Sequence, residues 1–283
     1  MDTLYRLDRT IIEVSGVDAH SFLQGLLTQN LNALKDGDAF PAGLGAKSLY
    51  AALLTPQGKV LADMILRLAG SSILIDVDSA RAEVVAQRLH MYQLRSAVTI
   101  EPDPNELRVG WSMAPFEGAV QDPRLPELGW RGRLYSPHTS PPDGSAEYDA
   151  HRIALGVPDL TADAQPEEVF ALEALLEELN GVDFQKGCFV GQENVSRMKR
   201  RATTRKKFCP VVFDGEPPPY GTPVRAGEAE LGSIRTGVAG RAIALLRLDR
   251  ALEAAEKGQQ LTAGEKNVRL DPPAWLFLPA RDD

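Results

Sequence analysis

Two periods organise the hydrophobic positions of this chain, and they exchange at turns rich in Gly and Pro. TIIEVSG, from Thr10, alternates as a strand does. Asp18 then stands where it can cap a helix whose Phe22, Leu23, Leu26 and Leu27 share one face. Between residues 47 and 68, the apolar runs KSLYAALLT and VLADMILRL flank TPQGK, whose Pro and Gly predict a hairpin. SSILIDV predicts a further strand, SARAEVVAQRLHMYQL a helix with Ser79 as its cap, and AVTIE and ELRVGWS two more strands. The pattern is that of an α+β sheet with a helix on one face.

The turn-rich stretches EPDPNE and residues 136–145 interrupt the pattern, and the second reads as a boundary or long connection. Beyond it, PEEVFALEALLEELNG predicts an amphipathic helix. Pro166 suits its first turn, Val169, Phe170, Leu172, Leu175, Leu176 and Leu179 form its apolar face, and Gly181 closes it. From Phe208, the short runs FCPVVF, LGSIRTG and AIALLRLD alternate with Gly and Pro turns, as in a small β-barrel.

Composition narrows the class. The chain has 283 residues, 43% hydrophobic and 25% charged, which excludes disorder as the main state. Two cysteines, Cys188 and Cys209, are too few for a disulfide framework, so a reducing cytoplasm is the expected compartment. No apolar run reaches the roughly 18 residues of a membrane span, and the acids in MDTLYRLDRT are unlike a signal peptide. The cysteines and four histidines lack metal-ligand spacing, so no stably bound metal is expected. The net charge of -8 argues against a general nucleic-acid binder. Residues 186–207 break that average, with eight lysines and arginines against the single acid Glu193. Such an island attracts phosphates, a polyanionic tail or an acidic partner, or is simply a solvated loop.

Candidate phosphate loops fail on inspection: GLGAKS has Ala46 where a glycine must precede the lysine, and QGKV has Val60 where a Ser or Thr must hold magnesium. The informative stretch is NGVDFQKGCFVGQENVSR, residues 180–197. Gly187 and Gly191 permit tight backbone geometry on either side of Cys188, and GQENVSRMK can begin a helix whose amides point back to the loop. A thiol in that field and beside Lys186 would be biased towards thiolate; the alternative is an inert packing residue. Cys209, inside FCPVVF, reads as core.

KGCFVGQE resembles the signature of the YgfZ family of folate-binding proteins, relatives of the glycine-cleavage aminomethyltransferase. FLQGLLTQNL, LLTPQGKVLADM, YQLRSAVTI, RIALGVPDL and GRAIALLRLD extend the likeness along nearly the whole chain. The resemblance implies a three-part ring of the aminomethyltransferase type, with ferredoxin-like sheets and a C-terminal small β-barrel. Residues 1–46 would join 134–207 as a folate-binding domain, with 47–133 a ferredoxin-like domain and 208–283 the barrel.

The implied function is tetrahydrofolate-dependent assembly or repair of iron–sulfur enzymes, with folate or a one-carbon derivative as cofactor and iron–sulfur clients or assembly proteins as partners. Cys188 would be the reactive thiol. Lys186, Gly187, Gly191, Gln192, Glu193 and then Arg197 would contact folate, Tyr148 would stack on the pterin, and Glu173 would hold its hydrogen-bonding edge. Asp63 falls where the transferases carry two adjacent aspartates, but here the pair reads Ala62-Asp63. That loss, and Leu175 in place of an Asn, leave open whether the protein is an enzyme. The competing readings are a folate-dependent aminomethyl or one-carbon transferase and an RNA- or protein-binding module working through residues 197–207.

Overall fold

The computed structural model describes residues 3–34, 47–102, 108–134, 141–201 and 204–279. GLGAKS and the two turn-rich stretches around residues 101–106 and 136–145 fall largely outside them. In chain order the strands are β1 (Tyr5–Leu7), β2 (Arg9–Ser15), β3 (Leu49–Leu54), β4 (Val60–Ala69), β5 (Ser72–Asp78), β6 (Thr99–Pro102), β7 (Val109–Ser112), β8 (Ala119–Gln121) and β9 (Trp130–Arg133). After them come β10 (Lys206–Val212), β11 (Pro223–Ala226), β12 (Ala229–Val238), β13 (Arg241–Arg247), β14 (Leu261–Ala263) and β15 (Lys266–Leu270). The α-helices are α1 (Ala19–Gln24), α2 (Ser79–Gln93), α3 (Ser145–Leu155), α4 (Gln192–Arg201) and α5 (Leu248–Glu256).

Strands β3-β4-β5-β2-β6 form one sheet and β1-β7-β9-β8 another, while β10-β13-β12-β11-β14-β15 close into the expected barrel. Among the described residues these strands pair antiparallel, while the isolated bridge between Arg6 and Asp143 is parallel. The five-stranded sheet is buried on both faces, which explains why β3 and β4 read as continuous apolar runs. Ala51, Leu53, Met64 and Ile75 face α1 and α2 through Leu23, Leu27 and Leu89. Tyr50, Ala52, Leu54 and Ile65 face the other way and join a core that runs through residues 169–179 into the barrel.

Strand β2 lies between β5 and β6, with Ile12 opposite Ile75 and Pro102, and β1 pairs with β7. The boundary expected at residues 46 and 47 therefore runs through hydrogen-bonded sheets. Local pattern shows where strands are; it does not show which strands pair.

Helix caps also differ from expectation. Asp78 rather than Ser79 caps α2, accepting from the Ala80 amide at 2.9 Å. Asp18 precedes α1 but accepts no helix amide; its carboxylate takes the Ala97 N–H at 2.7 Å and ties α1 to the chain entering β6.

The helix predicted from Pro166 does not form. The segment is a series of turns broken by left-handed backbone at Glu167, Leu175 and Asn180 (φ 62°, 60° and 58°). Ala174 bonds back to Phe170, whereas Leu176 reaches Ala171 and Gly181 reaches Leu176. An amphipathic helix buries one stripe, but here Ala171 and Ala174, off the predicted apolar face, are as buried as Leu172 and Leu176. The segment threads between the sheet and the barrel and is covered on several sides. Left-handed backbone at Leu175 costs about 1–3 kcal/mol, an amount that complete burial of its side chain, worth about 1.5–3 kcal/mol, offsets.

Candidate functional site

The expected site residues fall into three groups. The first surrounds Asp63 on β4. Its carboxylate is buried and accepts from the Tyr50 hydroxyl at 3.0 Å. Burial raises its pKa above the usual aspartate value, and Asp159 adds to the rise, while Arg9, Arg124 and the Tyr50 hydrogen bond act against it. Burial and the adjacent Asp63 likewise push the Tyr50 phenol well up.

Arg124 links this group to Tyr148. It donates to the Tyr148 hydroxyl and grips Asp122 with two bonds of 2.9 and 2.7 Å. Arg131 then bridges Asp122 (3.4 Å) and Asp76 (2.9 Å), and Arg9 closes the chain on Asp76 at 2.6 Å. Burial alone would raise the pKa values of Asp76 and Asp122; their arginines hold both below the ordinary value. Tyr148 is buried edge-on against Trp111, with ring centroids 5.3 Å apart.

Arg9, Arg124, Arg131 and Tyr148 border a cleft of about 170 Å³ whose walls also include Asp78 and Asp159; Asp63 and Tyr50 do not line it. Among the described residues, the Nε of Arg131 is buried there without an acceptor. Sequence reasoning found Asp63 and Tyr148 but missed Arg9, Tyr50, Asp76, Asp122, Arg124, Arg131 and Asp159. The available signal was charge within strands of apolar pattern, as in Arg9 before Thr10-Ile11-Ile12 and Arg131 after Trp130.

Glu173 belongs to a second group. Its carboxylate accepts the Phe170 amide at 2.9 Å and so closes a local turn, and burial raises its pKa against the pull of Lys206 and Lys59. Lys59 donates to the Glu168 carbonyl at 2.8 Å and lies over the Phe170 ring. Glu173 does not line the cleft beside Tyr148.

The third group is the KGCFVGQE loop. Gly187 and Cys188 are exposed, whereas Cys209 is fully buried opposite Ala244 in the barrel, where burial pushes its thiol up to about 12. The two motif glycines differ. Gly191 has φ +83°, and a Cβ there would lie 2.7 Å from the Thr55 carbonyl in the hairpin turn; around Gly187 there is open space. Helix α4 begins at Gln192 as expected, with Glu193 and Arg197 exposed and Asn194 donating to the Gln57 carbonyl of the hairpin tip. Lys186 is buried, and its ammonium donates to the carbonyls of Gln24, Leu27 and Gln29 at 2.8, 2.6 and 2.8 Å. None of Lys186, Gly187, Gly191, Gln192, Glu193 or Arg197 lines the cleft beside Tyr148.

By fold, the chain resembles the glycine cleavage system aminomethyltransferase T from Bartonella henselae. The TM-score is 0.73 over 99% of this chain and 87% of that one, at 17% sequence identity. Residues 205–278 match the C-terminal β-barrel domain of CAF17. An aminomethyltransferase-type fold ending in a CAF17-type barrel is thus the class of the molecule. At the level of sequence, it is 35% identical over 277 residues to the human mitochondrial iron–sulfur cluster assembly factor IBA57, covering 86% of this chain and 76% of that protein. It is 33% identical over 285 residues to the mouse protein, with coverages of 87% and 77%. The chain belongs to the IBA57 family of iron–sulfur cluster assembly factors, the kinship that KGCFVGQE pointed to. The expected cytoplasmic location is corrected by these relatives, which are named as mitochondrial proteins.

Proposed function

We propose that this protein serves iron–sulfur cluster assembly as a reduced-folate-binding factor whose working thiol is Cys188. The observation that carries the reading is the contrast between the two cysteines: the one inside the KGCFVGQE motif is exposed, while the other is sealed in the barrel. A lone thiolate cannot hold a cluster that takes about four ligands, so Cys188 would act on cluster cargo together with a partner protein or small thiols.

The cleft beside Tyr148 supplies chemistry suited to a pterin. Carboxylates there can accept from the amino group and ring N–H, Arg131 has a free Nε–H for the carbonyl, and Tyr148 adds an aromatic wall. Tetrahydrofolate supplies one-carbon chemistry when bound. Tyr50 holds the Asp63 carboxylate by a hydrogen bond, Arg124 favours its charged form through space, and burial keeps water from it. Its partner position is Ala62, and its own oxygen is already engaged by Tyr50, which disfavours direct aminomethyl transfer.

Calorimetric titration with tetrahydrofolate tests the ligand: saturable heat that weakens in Tyr148→Leu, which removes the aromatic wall, and is kept in Tyr148→Phe is expected, and absence of heat at millimolar ligand refutes the folate assignment. Glu173→Gln should leave affinity unchanged, because the Glu173 carboxylate closes a turn on the Phe170 amide and does not line the cleft.

A further inference from the structure

We infer that Lys186 is the positioning residue that presents Cys188, holding the motif loop against the end of α1 rather than binding folate or activating the thiol. The inference deepens the proposed role of Cys188 and rests on it.

An ammonium has three N–H donors, and all three of Lys186 are occupied by the carbonyls of Gln24, Leu27 and Gln29. Gln24 is the last residue of α1, where helix carbonyls have no intrahelical partner and the dipole favours a cation. The two Gln side chains help set those carbonyls. Gln24 bonds Asn30 and the Leu31 amide, and Gln29 donates to the Asn180 carbonyl at 2.6 Å. Among the described residues no ion pair accounts for the burial of Lys186; the acid that acts on it through space is Asp183, and burial dominates, lowering its pKa to about 8. A buried ammonium on neutral carbonyls is a costly element, and its return here is geometric.

The same short segment holds the loop elsewhere. Upstream, Thr28 donates to the Gly181 carbonyl at 2.6 Å, and its own carbonyl accepts from Asp183 at 3.1 Å. Downstream, the Val190 amide reaches the Gly25 carbonyl at 3.2 Å. Between the anchors at 186 and 190, Phe189 is turned into the core, while Gly187 and Cys188 are exposed. Lys186 is the side-chain anchor two residues before the thiol, and it is buried.

The test compares wild type, Lys186→Met, Cys188→Ser and the double variant. A folded Lys186→Met protein is recognised by Cys209 remaining closed to alkylation. Charge-assisted hydrogen bonds are each worth more than one factor of ten, so amides of residues 182–191 should exchange about tenfold or more faster in Lys186→Met, with the barrel unchanged. In cells lacking the protein, Lys186→Met should lower iron–sulfur enzyme activity although Cys188 is intact, and the double variant should fall no lower than Cys188→Ser. In Lys186→Ala, n-butylammonium should restore slow exchange where tetramethylammonium does not, because three N–H donors are required. Unchanged exchange in folded Lys186→Met overturns the anchor, and losses that add in the double variant overturn its action through Cys188. If Cys188→Ser is itself silent, the thiol role fails, and with it the link to Lys186; the exchange measurement still judges the anchor separately.

Discussion

Around Asp63, charge is balanced by charge: Arg9, Asp76, Arg131, Asp122 and Arg124 form one buried chain of ion pairs ending on the Tyr148 hydroxyl. Around Cys188, the one buried charge, Lys186, is balanced by backbone carbonyls, and the rest of the α4 surface carries exposed arginines. The first arrangement fixes the shape of an interior and tolerates little change. The second fixes one loop and leaves its tip free to meet something else. Substitutions should therefore act mainly through stability in the first region and mainly through function in the second.

The largest effect expected is at Asp122. Asp122→Ala leaves Arg124 and Arg131 buried without their shared carboxylate, and loss of about 3–5 kcal/mol in urea unfolding is the expected result. A loss below 1 kcal/mol would mean that water replaces the carboxylate and the network is not closed.

Tyr148→Ala should come close behind, at about 3–5 kcal/mol, because the ring is packed on Trp111. Tyr148→Phe should cost only about 1 kcal/mol, the worth of its hydrogen bond.

The pH dependence divides the aspartates of this one region. Asp76 and Asp122 have lowered values in the fold, so their stabilisation is complete above the unfolded value of 3.8 and is lost as pH falls below it. Asp63 has a raised value, so its contribution is greatest when protonated and declines as pH rises through 3.8 towards the folded value. At pH 7, Asp122→Asn should destabilise and Asp63→Asn should stabilise. The same sign for both in thermal unfolding would contradict the electrostatic assignment.

The smaller test contrasts the two motif glycines. Gly191→Ala forces a side chain against the Thr55 carbonyl in a left-handed conformation and should cost about 1–3 kcal/mol. Gly187→Ala meets open space and should stay within about 0.5 kcal/mol in stability.

Much of the fold was legible because strands and the barrel follow local alternation and turn chemistry. The hairpin at Thr55–Gly58, the barrel strands β10, β12 and β13 and α4 lie where their residues predict, whereas β11, β14 and β15 were not read from the pattern. Pairing of β1 and β2 was not legible, since alternation in RTIIEVS is satisfied by any neighbour with an apolar face. The segment at Pro166 misled because Val169, Leu172, Leu176 and Leu179 keep helical spacing while Ala171, Ala174 and Leu175 are buried too. Of the site, the motif around Cys188 could be read directly, being contiguous. The network at Asp63 could not, because Arg9, Asp76, Asp122 and Arg131 come from four separate strands or turns and acquire meaning only when paired. Lys186 was legible as a motif residue, but its partners were not, because they are backbone carbonyls more than 150 residues away in sequence.

The claim that Cys188 is the working thiol is tested most directly by complementation. In cells lacking this protein, activity of iron–sulfur enzymes is measured after supplying wild type, Cys188→Ser or Cys209→Ser at equal protein levels. Wild type and Cys209→Ser should restore activity, and Cys188→Ser should fail while remaining folded. Full restoration by Cys188→Ser would make the motif cysteine a structural residue and contradict the account.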